Sequence, residues 1–315
     1  MEKSISGKNN VDKQKNISYK SYELSADIAQ LVEQLICNQW VGSSSLSVGT
    51  NVKSHLIGGF FKLCPKGKNM RYKITVEYDG TNLVGWQKQR EGPSVQEFLE
   101  KAILGFSHQT TEVFCAGRTD AGVHALGQVA HFDLDTDLSE YKMQESINAL
   151  LRELQAPVAV LKTEKVGPDF HARFSAKGRG YIYRILNRRG ASPLLVNRVW
   201  HVTYPLDVEA MRQGAQYLLG HHDFSSFRGS GCQAKSPLKT LDKLDITQNG
   251  DEIIFTVEAR SFIYHQVRNM VGTLMQVGNG KLQPEDVKHI LEACDRKKAG
   301  ISAPAYGLYL NKVMY

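Results

Sequence analysis

Residues Phe114 to Asp133 read Phe-Cys-Ala-Gly-Arg-Thr-Asp-Ala-Gly-Val-His-Ala-Leu-Gly-Gln-Val-Ala-His-Phe-Asp. They set one carboxylate, Asp120, beside an arginine and between Gly117 and Gly122. A carboxylate next to Arg118 is expected to be ionised and held in one orientation, as a nucleophile or general base must be. The apolar runs on either side, Val113–Ala116 and Val129–Phe132, read as strands. Asp120 then sits on a tight loop carried by a rigid scaffold, where functional groups concentrate. For an isolated Gly-Arg-Thr-Asp the simpler reading is a turn in which Asp120 caps backbone and Arg118 is solvated.

Two further clusters carry chemistry. From Phe170 to Pro205 there are seven lysines and arginines and no acid, interleaved with Phe174, Tyr181 and Tyr183. Such a block suits phosphate contact and stacking on an unpaired base. On a strand, Tyr181 and Tyr183 share one face and Ile182 takes the other. A cationic edge strand whose tyrosines cover the core is an equal reading of the residues alone. In Ala259–Gly272, Val267 and Val271 continue at helical spacing to Leu274 and Met275 and read as core. Arg268 on that helix reads by default as solvated, and Gly307-Leu308-Tyr309-Leu310 as a plain terminal strand. His124 and His131 have no third ligand at metal-binding spacing. Gly229-Ser230-Gly231 lacks the Lys-Ser or Lys-Thr of a phosphate-binding loop.

Gly-Arg-Thr-Asp-Ala-Gly-Val-His-Ala-x-Gly-Gln-Val-x-His-Phe resembles the catalytic motif of the tRNA pseudouridine synthase TruA family, and the resemblance runs over nearly all of Met70–Tyr315. It implies that Asp120 is the essential aspartate and that Arg268 pairs with it. Tyr181 would pack on the target base, and Leu308 would line the uracil pocket. Arg118 would help to hold the opened RNA, with the Arg118–Arg268 pair keeping the Asp120 pKa low. Arg179 and His124 are expected to touch RNA. Ser226-Phe227-Arg228 matches a tripeptide near the family's site. Family members commonly have Tyr-Arg-Tyr where this chain has Tyr181-Ile182-Tyr183. The resemblance further implies isomerisation without a cofactor at uridines 38, 39 and 40 of the tRNA anticodon arm, by a homodimer in which one tRNA touches both subunits.

Composition bounds these readings. The chain has 315 residues and a net charge of +7, of which +4 falls in residues 1–69, so global basicity is a weak argument for a polyanion partner. Five scattered cysteines without Cys-x-x-Cys spacing suggest neither a disulfide framework nor a zinc site and fit a reducing cytoplasm. No apolar run approaches the roughly 18 residues that span a bilayer, and no secretory or transit signal is recognisable. A non-catalytic RNA-binding module could dispense with Asp120 and Arg268. A nucleoside or glycoside hydrolase would need a second placed carboxylate, and Cys115–Ala130 holds only Asp120.

The elements that must position these groups alternate from Met70 onward. Strand Arg71–Asp79 precedes a loop with Gly85-Trp86-Gln87, then a helix opened by the capping box Ser94-x-x-Glu97. Strands around Glu112–Ala116 and Gly127–Asp133, a helix around Tyr141–Leu154 and a strand around Val158–Val166 complete a β-α-β-β-α-β unit. The order recurs. Strand Gly178–Asn187 and an extra strand near Val199–Thr203 lead to a helix Asp207–Leu219, and a hairpin is expected at Asn249-Gly250. A helix from Tyr264 to Val277, a helix opened by Pro284 and a strand Leu308–Val313 end the chain. The expected class is α+β: two ferredoxin-like halves, 70–166 with Asp120 and 167–315 with Tyr181 and Arg268, with a mainly antiparallel sheet and a cleft between them. Residues 1–69, with a short amphipathic Asp27–Ile36 segment and a polar Ser43–Thr50 linker, read as an appended tail or as translation from an upstream start.

Overall fold

The computed structural model describes residues 69–315. The expectations for the tail, including Asp27–Ile36 and Ser43–Thr50, lie outside the described residues. Strand β1 (Asn69–Tyr78) buries every second residue, with Tyr72, Ile74 and Val76 inaccessible to solvent, the pattern of a strand with one face on a core. Helix α1 (Val95–Ser107) starts where foreseen: the Ser94 side chain accepts from the Glu97 amide. The Glu97 carboxylate itself pairs with Lys101 one turn on. After β2 (Phe114–Cys115) and β3 (His124–Asp135) come α2 (Glu140–Glu153) and β4 (Val158–Val166). Gly105 of α1 lies so close to Leu150 of α2 that a Cβ there would meet its Cδ1 at 2.4 Å, so these helices pack closely where one side chain is missing.

The second half repeats the plan with additions. Strand β5 (Gly178–Asn187) has the expected bounds, and β6 (Trp200–Val202) runs parallel to its end. Helix α3 (Val208–Gln216) is capped by the Asp207 carboxylate, which accepts from the Ala210 amide at 2.9 Å. Strand β7 (Gly220–Asp223) was not foreseen; it forms by antiparallel pairing with β8 (Leu238–Asn249). The hairpin to β9 (Glu252–Ala259) turns one residue later than expected. Asn249 pairs with Glu252, and Gly250, at φ +57°, takes the first central position, where a two-residue loop of this kind requires glycine. Helix α4 (Gln266–Gly278) starts two residues beyond the expected Tyr264. Helix α5 (Asp286–Glu292) and β10 (Leu308–Met314) complete the chain.

The strands form one sheet in the order β4-β1-β3-β10-β5-β9-β8-β7, with β2 on β3 and β6 on β5. Each half thus has the ferredoxin-like order, β4-β1-β3-β2 and β10-β5-β9-β8. The halves meet at a parallel junction where Tyr309 and Leu310 of β10 register with His124 and Ala125 of β3. The core of the second half gathers Tyr183, Phe224, Phe227, Phe255, Met270 and Leu274, all fully buried. Burying an apolar side chain of this size stabilises by about 1.5–3 kcal/mol. Tyr183 accordingly follows the core reading, with its hydroxyl donating to the Pro304 carbonyl at 2.8 Å.

Candidate active site

The loop from Gly117 to Val123 is pinned from three sides. Gln128 Nε2 donates to the Gly117 carbonyl at 2.7 Å. The Tyr78 hydroxyl meets Thr119 Oγ1 at 2.7 Å. The segment after β1 reaches over the loop: Gly85 bridges Asp120 in an isolated antiparallel pair, and the Trp86 amide donates to the Thr119 carbonyl at 3.0 Å. Gly85 has φ +107°, and a Cβ there would stand 2.5 Å from the Thr119 oxygen. Only glycine fits this approach of backbone to backbone. Asp120 is therefore held through its main chain, which leaves the carboxylate to project.

Beyond the loop, Tyr181 comes from β5, Leu308 from the start of β10, and Arg268 from the first turn of α4. With Arg118, Asp120 and Phe262 they line a cleft of about 230 Å³. Tyr181 stands edge-on to Phe262, ring centroids 5.2 Å apart. Burial pushes its phenol well above the ordinary value near 10, and the nearby Asp120 adds to the rise. At neutral pH Tyr181 therefore carries its proton.

The ionic surroundings of Asp120 differ from the expected arginine fork. His265 Nε2 lies 3.2 Å from Asp120 Oδ2, and Arg268 Nη1 lies 3.9 Å away. Arg268 spends its Nε on the Ala303 carbonyl at 2.7 Å and directs Nη1 to His265 Nε2 at 3.1 Å. Arg118 is exposed and forms no ion pair among the described residues. The expected lowering of the Asp120 pKa is overturned as well. Burial raises it above the usual carboxylate range, and His265, when its ring is protonated, and then Arg268 offset only part of that rise. An Arg268→Met variant is expected to move the acid limb of log kcat/KM to higher pH, since one charge that favours the carboxylate is gone. A pH–rate profile with unchanged acid limb would exclude that coupling.

Two expected RNA contacts are not brought to the cleft. His124 is 2% exposed: its Nδ1 accepts from the Gly80 amide, its Nε2 faces the Asn197 and Tyr306 carbonyls at 2.9 and 3.1 Å, and its ring stacks on Tyr309. It ties β3 to β10 and has no surface left for RNA. Arg179 donates to the carbonyls of Ala116, Arg173 and Arg260, each at 2.9 Å. It clamps the entrance of the Asp120 loop to the strand that carries Tyr181. His131 is likewise structural, buried and accepting from the Ala172 amide, with burial pushing its pKa down to about 4. Within the basic block, Arg184 pairs with Glu252, Arg188 with Asp251 and Arg198 with Asp79, so much of its charge is neutralised internally. Ser226 and Arg228 bond backbone carbonyls, at Ile290 and at Cys232 and Ala234.

Sequence reading passed over His265. The available signal was its place three residues before Arg268 at a helix start, since positions i and i+3 face the same way.

A duplicated ferredoxin-like sheet with one carboxylate loop at the junction of its halves has the architecture of an RNA pseudouridine synthase, and sequence comparison points the same way. The family profile described as "tRNA pseudouridine synthase" matches residues 74–175 and 215–315. The tRNA pseudouridine synthase A of Rhodospirillum centenum is 56% identical over 245 residues, 78% of this chain and 99% of that protein. Those of Ehrlichia chaffeensis and Wolbachia pipientis are 52% and 50% identical over 247 residues, 78% of this chain and 100% of theirs. A chain of a Cbf5–Nop10–Gar1 complex is 14% identical, covers 65% of this chain and has a TM-score of 0.30, too slight a likeness to carry weight. The chain belongs to the TruA family of tRNA pseudouridine synthases, isomerases that convert uridine to pseudouridine in tRNA.

Proposed function

We propose that this chain isomerises uridines 38, 39 and 40 of the tRNA anticodon arm and that Asp120 is the group acting at the ribose. The observation that carries the reading is convergence: Asp120, Tyr181, Arg268, Leu308 and Arg118, drawn from four separate stretches of sequence, line one cleft. A uridine in a stem or loop must leave its stack to enter, at a cost of about a few kcal/mol. Arg118, exposed at the cleft, is free to take a phosphate of the opened strand. Leu308 supplies an apolar wall for the uracil, and the protonated Tyr181 packs on the ring and can donate to it. The Asp120 carboxylate either attacks C1′ or removes the C2′ proton to give a glycal. Both routes break N1–C1′, let the base turn and rejoin it through C5.

The chain is further proposed to act in the cytoplasm as a homodimer that grips one tRNA with both subunits. No helix of the described residues is long and apolar enough to cross a membrane. Sedimentation of the protein alone and with tRNA tests the assembly. The target is tested with transcripts labelled with [5-³H]uridine. Tritium release is expected from wild-type tRNA and is expected to vanish when uridines 38, 39 and 40 are replaced by cytidine. Undiminished release from the replaced transcript would place the target elsewhere in tRNA.

A further inference from the structure

His265 occupies a backbone conformation that its side chain does not favour. Its φ is +62°, in the left-handed region, at the residue that caps α4. A non-glycine residue there is uncommon and costs free energy that the surroundings must offset. The surroundings are specific. The His265 carbonyl accepts from the Asn269 amide at 2.9 Å, and the Tyr264 carbonyl beside it accepts from Gly229 at 2.8 Å. The imidazole stacks on the Tyr264 ring with centroids 3.8 Å apart. That conformation delivers Nε2 to a point between Asp120 Oδ2 and Arg268 Nη1, at 3.2 and 3.1 Å. In the tautomer with hydrogen on Nδ1, Nε2 has one lone pair, which Arg268 occupies at rest and which a proton on Asp120 Oδ2 can take once that contact opens.

Isomerisation leaves a proton to be moved. Once the base has rejoined through C5, the C5–H bond breaks, its electron pair forms the C5=C6 double bond, the C6=N1 pair withdraws to N1, and N1 takes a proton from water. The hydrogen from C5 must reach water, as release of tritium requires. Among the groups lining the cleft, burial keeps the Tyr181 and Tyr264 phenols protonated and the guanidinium groups of Arg118 and Arg268 offer only donors, so none of these accepts it. Burial and the facing Arg268 hold His265 below its ordinary value, so the ring is neutral at neutral pH; Asp120 opposes this, and Arg296 adds to it from farther off. The side chain retains 22% of its exposure, enough to pass a proton on to solvent.

We propose that His265 is the proton partner of Asp120: Nε2 accepts the proton that the carboxylate collects during turnover and releases it to water. Nε2 takes the proton from Oδ2, its contact with Arg268 opens, and the imidazolium formed faces the regenerated carboxylate until deprotonation by solvent. His265 thus acts through Asp120, and the inference rests on the catalytic assignment of that residue.

The test is His265→Gly, because glycine adopts φ +62° without strain and so removes the ring while leaving the backbone. Expected is a fall in kcat on the order of 10²-fold, the contribution typical of a placed general base, with KM and tRNA affinity unchanged. Added imidazole is expected to restore part of the rate, and a series of substituted imidazoles to restore it in proportion to their basicity. The acid limb of the rescued reaction should follow the pKa of the added base. A wild-type kcat in His265→Gly overturns the inference; so does a loss that no imidazole relieves, which is what a purely structural ring would give. Asp120→Asn assayed in parallel separates the failures. An active Asp120→Asn removes the catalytic assignment itself, whereas an inactive Asp120→Asn beside a fully active His265→Gly removes only the proton partner.

Discussion

Asp120→Asn is expected to abolish tritium release, with a loss on the order of 10⁴-fold or more, the scale seen when a nucleophile or its base is removed from an enzyme. The substitution changes one oxygen for an amide and nothing else in the loop. The contacts that position residue 120 are main-chain ones, the bridge to Gly85 and the bond from the Val123 amide to the Asp120 carbonyl at 3.1 Å. Folding should therefore be unaffected, and the stability effect has a definite sign. Burial lifts the folded-state pKa of Asp120 above its unfolded value, so the native state binds the proton more tightly. Stability from this group is present at low pH and declines as pH rises through the folded pKa. The uncharged asparagine escapes that decline. At neutral pH the variant should melt no lower than wild type, and its advantage should shrink on acidification. Thermal unfolding at two pH values checks this, and tRNA binding should persist. A folded, tRNA-binding Asp120→Asn that still releases tritium would remove Asp120 from the chemistry.

Gly272→Ala is expected to be the most damaging small substitution in the second half. Gly272 lies mid-way along α4, where alanine would ordinarily favour a helix by about 1 kcal/mol. Here a Cβ would sit 1.7 Å from the Ile301 carbonyl oxygen. Gly300 faces it, with its own Cβ position 2.6 Å from the Gly272 oxygen. Both obstacles are backbone, so no rotamer change relieves them, and α4 must move off the 300–303 segment. That segment holds Arg268 from both ends: Ala303 donates its amide to the Arg268 carbonyl and accepts from Arg268 Nε. The cost should be about 3 kcal/mol or more, a fall in Tm of roughly 5–10 °C for a chain of this size, with loss of activity in whatever remains folded. Gly117→Ala is the control. It lies beside the Asp120 loop, yet a Cβ there meets nothing within 4 Å, and its stability should stay within about 0.5 kcal/mol of wild type. Equal melting of all three proteins would mean that α4 and its neighbour can separate freely.

Much of this was legible in the residues, for reasons that differ by element. Strand β5 was read with its exact bounds because alternation through Tyr181, Tyr183 and Ile185 reflects a strand with one buried face. Helix α3 was readable from its Asp207 cap. Strand β7 was not, since Gly220-His221-His222-Asp223 has no apolar alternation and becomes a strand only by lying along β8. Strand order was equally hidden, because the junction of β3 with β10 is set by packing of distant segments. At the site, Asp120, Tyr181, Arg268 and Leu308 were placed by resemblance to a family motif, and residue spacing alone left each with a structural reading. The two further RNA contacts expected, His124 and Arg179, have side chains bonded to partners far along the chain, which no local pattern encodes. For His265 the i, i+3 spacing to Arg268 was the one local signal, and the left-handed backbone that brings its ring to Asp120 is not encoded by spacing.

The parallel junction of the halves also bears on how the enzyme forms. His124 and Tyr306, which meet there, are 182 positions apart in the chain, whereas β8 and β9 join through a two-residue turn. Loop-closure entropy grows only slowly with length, so the junction is affordable, but pairings this remote form late in folding. The carboxylate loop hangs from one half, and Tyr181, Leu308 and Arg268 from the other. Each half can acquire its backbone ellipticity during refolding while the protein is still without a cleft. Tritium release is then expected to return after the backbone signal on refolding, with the kinetics of a docking step between two nearly finished pieces.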